Sequence, residues 1–204
     1  MTDDTAEWDA IVLAGGRSRR LGGIDKTSLV FEGSSLLDRA VSGVAGARRI
    51  VVVGPSELRS RLADHVQLVA EHPRFGGPAA ATAAGLAALS DPAPRVVVIA
   101  ADLPFAAEAV AQLLAVGRLA ACADGVVAAD STGRLQPLLA VYATHTLAGA
   151  IDAAGELENA SMRALTRGML LCQVRLPDEL CADIDTPRAA EQHGIALGRT
   201  LAHA

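Results

Sequence analysis

The sequence predicts an α/β fold with a mostly parallel, mixed sheet covered by helices on both faces. Short β-branched runs recur along the chain, at 10–14, Ile50 to Val53 and 95–101. Segments between them repeat their apolar residues at helical spacing, and the connections are short. Strands alternating with helices build βαβ units and a parallel sheet. Strands buried on both faces read as continuous apolar runs rather than as alternating ones.

Taken in order, Ala10 to Ala14 reads as a buried strand that stops at Gly15-Gly16. Val30-Phe31 precedes a turn at Glu32-Gly33. Ser34-Ser35 then offers a helix cap, and Leu36, Leu37, Ala40, Val41 and Val44 share one helical face. Ile50 to Val53 is a second buried strand, ended by Gly54-Pro55, and a short helix over 56–62 follows. Val66 to Val69 is a weaker strand. A loop from Glu71 leads to Pro78, which suits the first turn of an alanine-rich helix over 79–89. The run 95–101 is the strongest strand; it ends on Asp102, and Leu103-Pro104 cannot continue a ladder. A helix over 108–116 precedes strands at 125–129 and 138–142, separated by a polar turn at 130–134. Helices at 146–154 and 161–167, a late strand at 170–174 and a last helix from Pro187 to about His193 complete the pattern.

The 204 residues suit one domain with a core over about 8–193 and short flexible termini. A chain that is 51% hydrophobic, with mean hydropathy +0.32, can bury a sizeable core. The net charge of −5 excludes a broadly basic surface for nucleic acid. Aromatics at 2% leave little for stacking on bases. No apolar run is long enough to span a bilayer, and the acidic MTDDTAEWD start lacks the apolar stretch of a signal peptide. Cys122, Cys172 and Cys181 form no CxxC pair, so they read as reduced thiols in a cytoplasmic protein.

In open sheets of this kind ligands bind beyond the carboxyl ends of the strands. Here those ends carry glycines, carboxylates and His72. Gly15 and Gly16 let backbone N–H groups approach phosphate, although a plain strand-to-helix turn would use the same residues. Arg17, Arg19 and Arg20 follow, and then Lys26, the only lysine in the chain. A solvated basic loop is the alternative reading of that cluster. A compact ammonium suits a point contact to phosphate, and a guanidinium a bidentate one. Asp102 at the end of the strongest strand suits Mg²⁺, which takes a few carboxylates together with phosphate oxygens. Asp183 and Asp185 form a D-x-D at a later junction. Either Asp102 or Asp185 could instead cap a helix. The spacing GxxxxGK[ST] is absent, as is G-x-G-x-x-G, which excludes a Walker loop and argues against a hydride-transferring dehydrogenase. The set points to phosphoryl or nucleotidyl transfer.

LAGGRSRRLGGIDK at 13–26 resembles the signature of the sugar-nucleotide-type nucleotidyltransferases, and its D-K ending is similar to the molybdenum cofactor guanylyltransferase branch. VVVG at 51–54, GGPAAATAAGL at 76–86, AADLPF at 100–105, LQPLLAVY at 135–142, SMRAL at 161–165 and DIDTP at 183–187 follow in family order. The resemblance implies a three-layer Rossmann-like fold and attack by an acceptor phosphate on the α-phosphorus of an NTP. It implies that Leu13, Ala14, Gly15 and Gly16 cradle base and ribose while Arg20 and Lys26 hold the triphosphate. Gly54, Glu71 and His72 would lie about the base. Asp102 and Asp185 would bind Mg²⁺. Arg134, Gln136, Pro137 and Arg163 would face the acceptor, a pterin phosphate in that branch. Transient contact with molybdoenzyme maturation proteins is expected too.

Three departures bear on the nucleotide. The guanylyltransferases usually have Asn at the place of Gly54. Their guanine-reading Asp falls near His72, with Glu71 beside it. DIDTP is nearer the cytidylyltransferase form. GTP with molybdopterin is the leading expectation. CTP with the same pterin, another acceptor such as phospholactate, or a non-catalytic nucleotide-binding accessory protein are the alternatives.

Overall fold

A computed structural model describes residues 8–15, 26–71, 76–119, 124–184 and 190. Among these residues, seven strands form one sheet: β1 (Trp8–Leu13), β4 (Ile50–Val53), β5 (Val66–Val69), β6 (Arg95–Ala100), β7 (Gly125–Ala129), β8 (Leu135–Ala143) and β9 (Leu171–Arg175). The short β2 (Val30–Phe31) and β3 (Ser34–Ser35) pair as a separate hairpin. The spatial order in the sheet is β5-β4-β1-β6-β8-β7-β9. β1 is central and parallel to both β4 and β6. β8 alone runs against its neighbours, β6 and β7, while β9 is parallel to β7. The expected mostly parallel, mixed sheet is borne out.

Among the described residues, six α-helices with assigned bounds flank it: α1 (Leu36–Gly43), α2 (Pro78–Ala87), α3 (Ala106–Leu119), α4 (Thr144–Ala154), α5 (Met162–Leu165) and α6 (Asp178–Cys181). Strand alternation sorts the core into two layers. Ala10, Val12, Val52, Val97 and Ile99 point to one face, where Leu37 and Ala40 of α1 and Val110 and Leu113 of α3 cover them. Ile11, Leu13, Val51, Val53, Val96 and Val98 point to the other, beneath Ala79 and Leu86 of α2, Leu147 of α4 and Met162 of α5. Each fully buried Ile or Val in these layers contributes about 1.5–3 kcal/mol relative to exposure.

Local signals act where the sequence places them. Glu32 and Gly33 take positive φ in the hairpin turn. Ser35 caps α1, its hydroxyl accepting from the Asp38 amide at 3.1 Å. Pro78 opens α2. The stretch after β4 is a 3₁₀ helix, Ser56–Arg61, rather than an α-helix. β8 begins three residues earlier than hydropathy suggests, because Leu135 and Gln136 pair with Ala129 and Ala128 beyond a bulge. Ala128 faces Gln136 while the preceding Val127 faces Ala140, so Pro137, Leu138 and Leu139 have no partner on β7. The final helix expected from Pro187 lies outside the described residues, apart from Ala190.

Two features were not legible. Asp9 is a fully buried carboxylate inside β1, stabilised by the Ala93 amide at 2.7 Å and by Arg48 Nε at 3.4 Å. Cys172 is disulfide-bonded, against the expectation of three reduced thiols. Distance along the chain, on which that expectation rested, says nothing about proximity across a folded sheet. No helix among the described residues is long and apolar enough to cross a membrane.

Candidate nucleotide-transfer site

The carboxyl ends of β4, β1 and β6 converge on one rim. The Ala14 amide donates to Val53 O at 2.8 Å, and the Ala101 amide donates to Leu13 O at 3.0 Å. Leu13, Ala14 and Gly15 therefore leave the sheet between its two flanking strands. Glu71, just past β5, brings its carboxylate over Gly15: a methyl added there would sit 3.7 Å from Glu71 Oε1. Gly54 closes the β4 side. A Cβ at this position would lie 2.9 Å from Leu58 Cδ1 and 3.2 Å from Ala14 O, so Leu58 already occupies the space that a side chain at 54 would need.

On the β6 side the chain turns at Asp102. Lys26, on the 3₁₀ turn Lys26–Ser28, places Nζ 3.2 Å from Asp102 Oδ2. Both side chains are largely covered, each 19% exposed. The Ile184 amide donates to Asp102 O at 3.2 Å, which sets the Asp183-Ile184 segment alongside. Ile184 is fully buried and anchors that segment among Leu29, Phe31 and Leu36. No cluster of three or more metal-ligating side chains occurs among the described residues. Asp102 nonetheless fits a metal that draws most of its ligands from a triphosphate and water.

The antiparallel β8 starts at the same edge, because Leu139 pairs with Ile99 near the end of β6. Its first residues are organised by Asp130. Oδ1 accepts from the Thr132 hydroxyl and from the Thr132 and Arg134 amides, and Oδ2 accepts from Gln136 Nε2 at 3.4 Å. The Thr132 hydroxyl in particular holds the Asp130 carboxyl below its usual range. Arg163, exposed on α5, donates to Leu135 O at 3.4 Å. Tyr142, fully buried, donates from its hydroxyl to Pro137 O at 2.7 Å and so pins the bulge.

Of the residues expected at the site, the structure brings Leu13, Ala14, Gly15, Lys26, Gly54, Glu71 and Asp102 to one rim. Arg134, Gln136, Pro137 and Arg163 lie together along the neighbouring stretch of the same edge. Gly16, Arg20, His72 and Asp185 lie outside the described residues. Sequence reasoning missed Asp130 and Tyr142. An aspartate opening an S-T-G turn carries an Asx-turn signal that would have found the first. Nothing local marks the second, whose role comes from the bulge.

A glycine-bearing strand end, a covered ammonium–carboxylate pair beyond the end of the adjacent strand and a polar ledge across the edge define a nucleotide-handling α/β protein. The comparisons narrow the class. The model of the MobA-like NTP transferase domain matches residues 10–174, and the chain belongs to that family. A molybdenum cofactor guanylyltransferase of Mesorhizobium japonicum is 37% identical over 148 residues, which span 66% of each chain. The crystal structure of molybdopterin-guanine dinucleotide biosynthesis protein A from Archaeoglobus fulgidus superposes with a TM-score of 0.68. It is 24% identical, over 91% of this chain and 96% of that one. A manganese complex of a Mycobacterium tuberculosis protein has the same TM-score at 17% identity, over 91% and 97%. The two structures share the fold. The family is the one that the motif order resembles.

Proposed function

We propose that the chain transfers GMP from GTP to the phosphate of molybdopterin with release of pyrophosphate, supported by Mg²⁺. The observation that carries this reading is the Lys26–Asp102 pair beside the Gly15 strand end. A cation for the triphosphate and a carboxylate for its metal stand there at one strand edge. Membership of the NTP transferase family and the names of its relatives support the guanylyl and molybdopterin assignments.

In this reading an oxygen of the acceptor phosphate attacks the α-phosphorus in line, the α–β bridge breaks and pyrophosphate departs. Lys26 and Arg20 hold the β- and γ-phosphates and offset charge on the departing group. Asp102, joined by Asp185, would hold the divalent ion. Magnesium, when bound, supplies neutralisation of the phosphate oxygens. Leu13, Ala14, Gly15 and Gly16 take the nucleoside, with Gly54 forming the β4 wall and His72 flanking the base. Glu71 reads the base: a carboxylate only accepts hydrogen bonds, and guanine presents two N–H donors side by side where cytosine presents one donor beside an acceptor. Arg134, Gln136 and Arg163 orient the acceptor against the Pro137 bulge. We place the reaction in the cytoplasm, with nucleoside triphosphate and pterin as small-molecule partners.

The test is pyrophosphate release measured with each of the four NTPs, Mg²⁺ and molybdopterin, and in parallel with phospholactate. Turnover confined to GTP and the pterin is expected. Preference for CTP, which the DIDTP form favours, would make the chain a cytidylyltransferase. Tight nucleotide binding without turnover would make it an accessory protein.

A further inference from the structure

We infer that Arg61 is a positioning residue: it braces the turn that carries Lys26 and so sets the place of the ammonium in the site. Its significance for catalysis rests on the nucleotidyl-transfer reading above. The guanidinium is clamped on Thr27, donating from Nη1 to Thr27 Oγ1 at 3.1 Å and from Nη2 to Thr27 O at 2.6 Å. Thr27 is buried and directly follows Lys26. Among the described residues, the 3₁₀ turn is closed by the Leu29 amide donating to Lys26 O at 3.1 Å. So short a turn has little internal rigidity. An arginine fork adds two charge-assisted bonds in a fixed plane, which point contacts would not supply.

The base of the brace is itself fixed. Arg61 ends the 3₁₀ helix Ser56–Arg61, and that helix is seated by Leu58, buried against Gly54 and Ala14 at the ends of β4 and β1. The Lys26 turn is therefore slung across the carboxyl end of β1. Arg61, following β4, holds one side through Thr27, and Asp102, following β6, holds the other through Nζ. Arg59, two residues earlier, faces elsewhere: it donates to Leu62 O, Ala63 O and Val66 O, each at 2.7 Å, and closes its own loop onto β5. The two arginines have equal charge and neighbouring places but different tasks, which makes Arg59 a natural control.

Because Lys26 is the only lysine, its environment can be read without turnover. The rate of Lys26 acylation by an amine-reactive ester, followed by peptide mass mapping, reports how well the turn keeps this largely covered side chain from the reagent. Arg61→Met is expected to raise that rate by about tenfold, as an unbraced turn opens locally and exposes the side chain. Thr27→Val removes one of the two acceptors and is expected to give a smaller rise. Arg59→Met is expected to leave the rate unchanged. In turnover, Arg61→Met is expected to lower kcat/KM for the nucleotide by about 100-fold through misplacement, with KM for the acceptor unchanged. Circular dichroism checks that each variant folds, and Thr27→Val carries the test if Arg61→Met does not. A wild-type acylation rate in Arg61→Met, or an equal rise in Arg59→Met, overturns the brace. Failure of the wild-type protein to release pyrophosphate from any NTP overturns the functional reading instead, and the acylation rates still decide the role of Arg61.

Discussion

Lys26 Nζ and Asp102 Oδ2 meet at 3.2 Å across 76 residues of chain. The pair joins the turn after β1 to the end of β6, and neither side chain belongs to the apolar core. Removing either charge should therefore affect chemistry more than folding. Lys26→Ala is expected to lower nucleotidyl transfer by about 100- to 1,000-fold, the scale seen when one preorganised charge-stabilising group is lost, while the urea midpoint stays near that of the wild type. Asp102→Asn keeps the shape and a hydrogen-bond acceptor for Lys26 but removes the charge proposed to bind the metal. It should abolish the rise of activity with Mg²⁺. Full activity in Lys26→Ala, or an unchanged Mg²⁺ titration in Asp102→Asn, would refute these roles.

The Glu71 carboxylate lies over Gly15, where the proposed function sets it against the base. Glu71→Gln replaces one acceptor by a donor at nearly constant volume. Discrimination of GTP against CTP, as the ratio of kcat/KM values, should fall by about 5- to 150-fold, the span of roughly 1–3 kcal/mol for a good bidentate base contact. Pyrophosphate release with the two nucleotides in competition measures the ratio directly. A ratio that does not move would assign base reading to another group.

The elements that proved legible were those whose burial dictates composition. IVVV at β4 and RVVVIA at β6 have few alternatives to a buried strand, and each was located to within a residue. Asp102 was legible because it interrupts such a run with a charge. The Tyr142 bond to Pro137 O was not, since it depends on a bulge that only the pairing of β8 with both β6 and β7 creates. The same holds for Arg61: in SELRSRL it reads like Arg59, and only the three-dimensional path of the Lys26 turn separates them. Asp9 looks like a break in an apolar run, because its partners, Ala93 and Arg48, come from distant turns.

Gly54, where related guanylyltransferases usually have asparagine, is explained by packing with Leu58. A Cβ would lie 2.9 Å from Leu58 Cδ1 and 3.3 Å from Ala14 Cβ. Gly54→Asn should therefore cost about 1–3 kcal/mol through overpacking, measured as a lower urea midpoint. Leu58→Ala opens a cavity with its own cost of about 2–5 kcal/mol. In that background Gly54→Asn should cost less than it does in the wild type, because the obstacle is gone. Strictly additive costs would show that Leu58 is not what keeps position 54 bare.

Two buried protons make stability fall at alkaline pH. Burial pushes the Cys181 thiol from 9.0 up to about 11, helped by the nearby Asp130 and Asp178 carboxylates. Burial also pushes the Tyr142 phenol well above its usual 10.0. Unfolding returns both to their ordinary values. From about pH 9 for Cys181 and pH 10 for Tyr142, the unfolded chain releases protons that the folded one keeps, so the unfolding free energy decreases as pH rises. The contribution is fully present below pH 9 and diminishes above it. Urea midpoints measured from pH 7 to 11 should thus decline above pH 9. Cys181→Ala should flatten the decline between pH 9 and 11. Tyr142→Phe should flatten it above pH 10, with a loss at neutral pH of about 1 kcal/mol for the bond to Pro137 O. Because that bond holds the bulge beside Gln136, Tyr142→Phe should also raise KM for the acceptor while KM for the nucleotide stays constant. A Tyr142→Phe protein with the wild-type alkaline slope and an unchanged acceptor KM would leave the phenol as mere filling of the core.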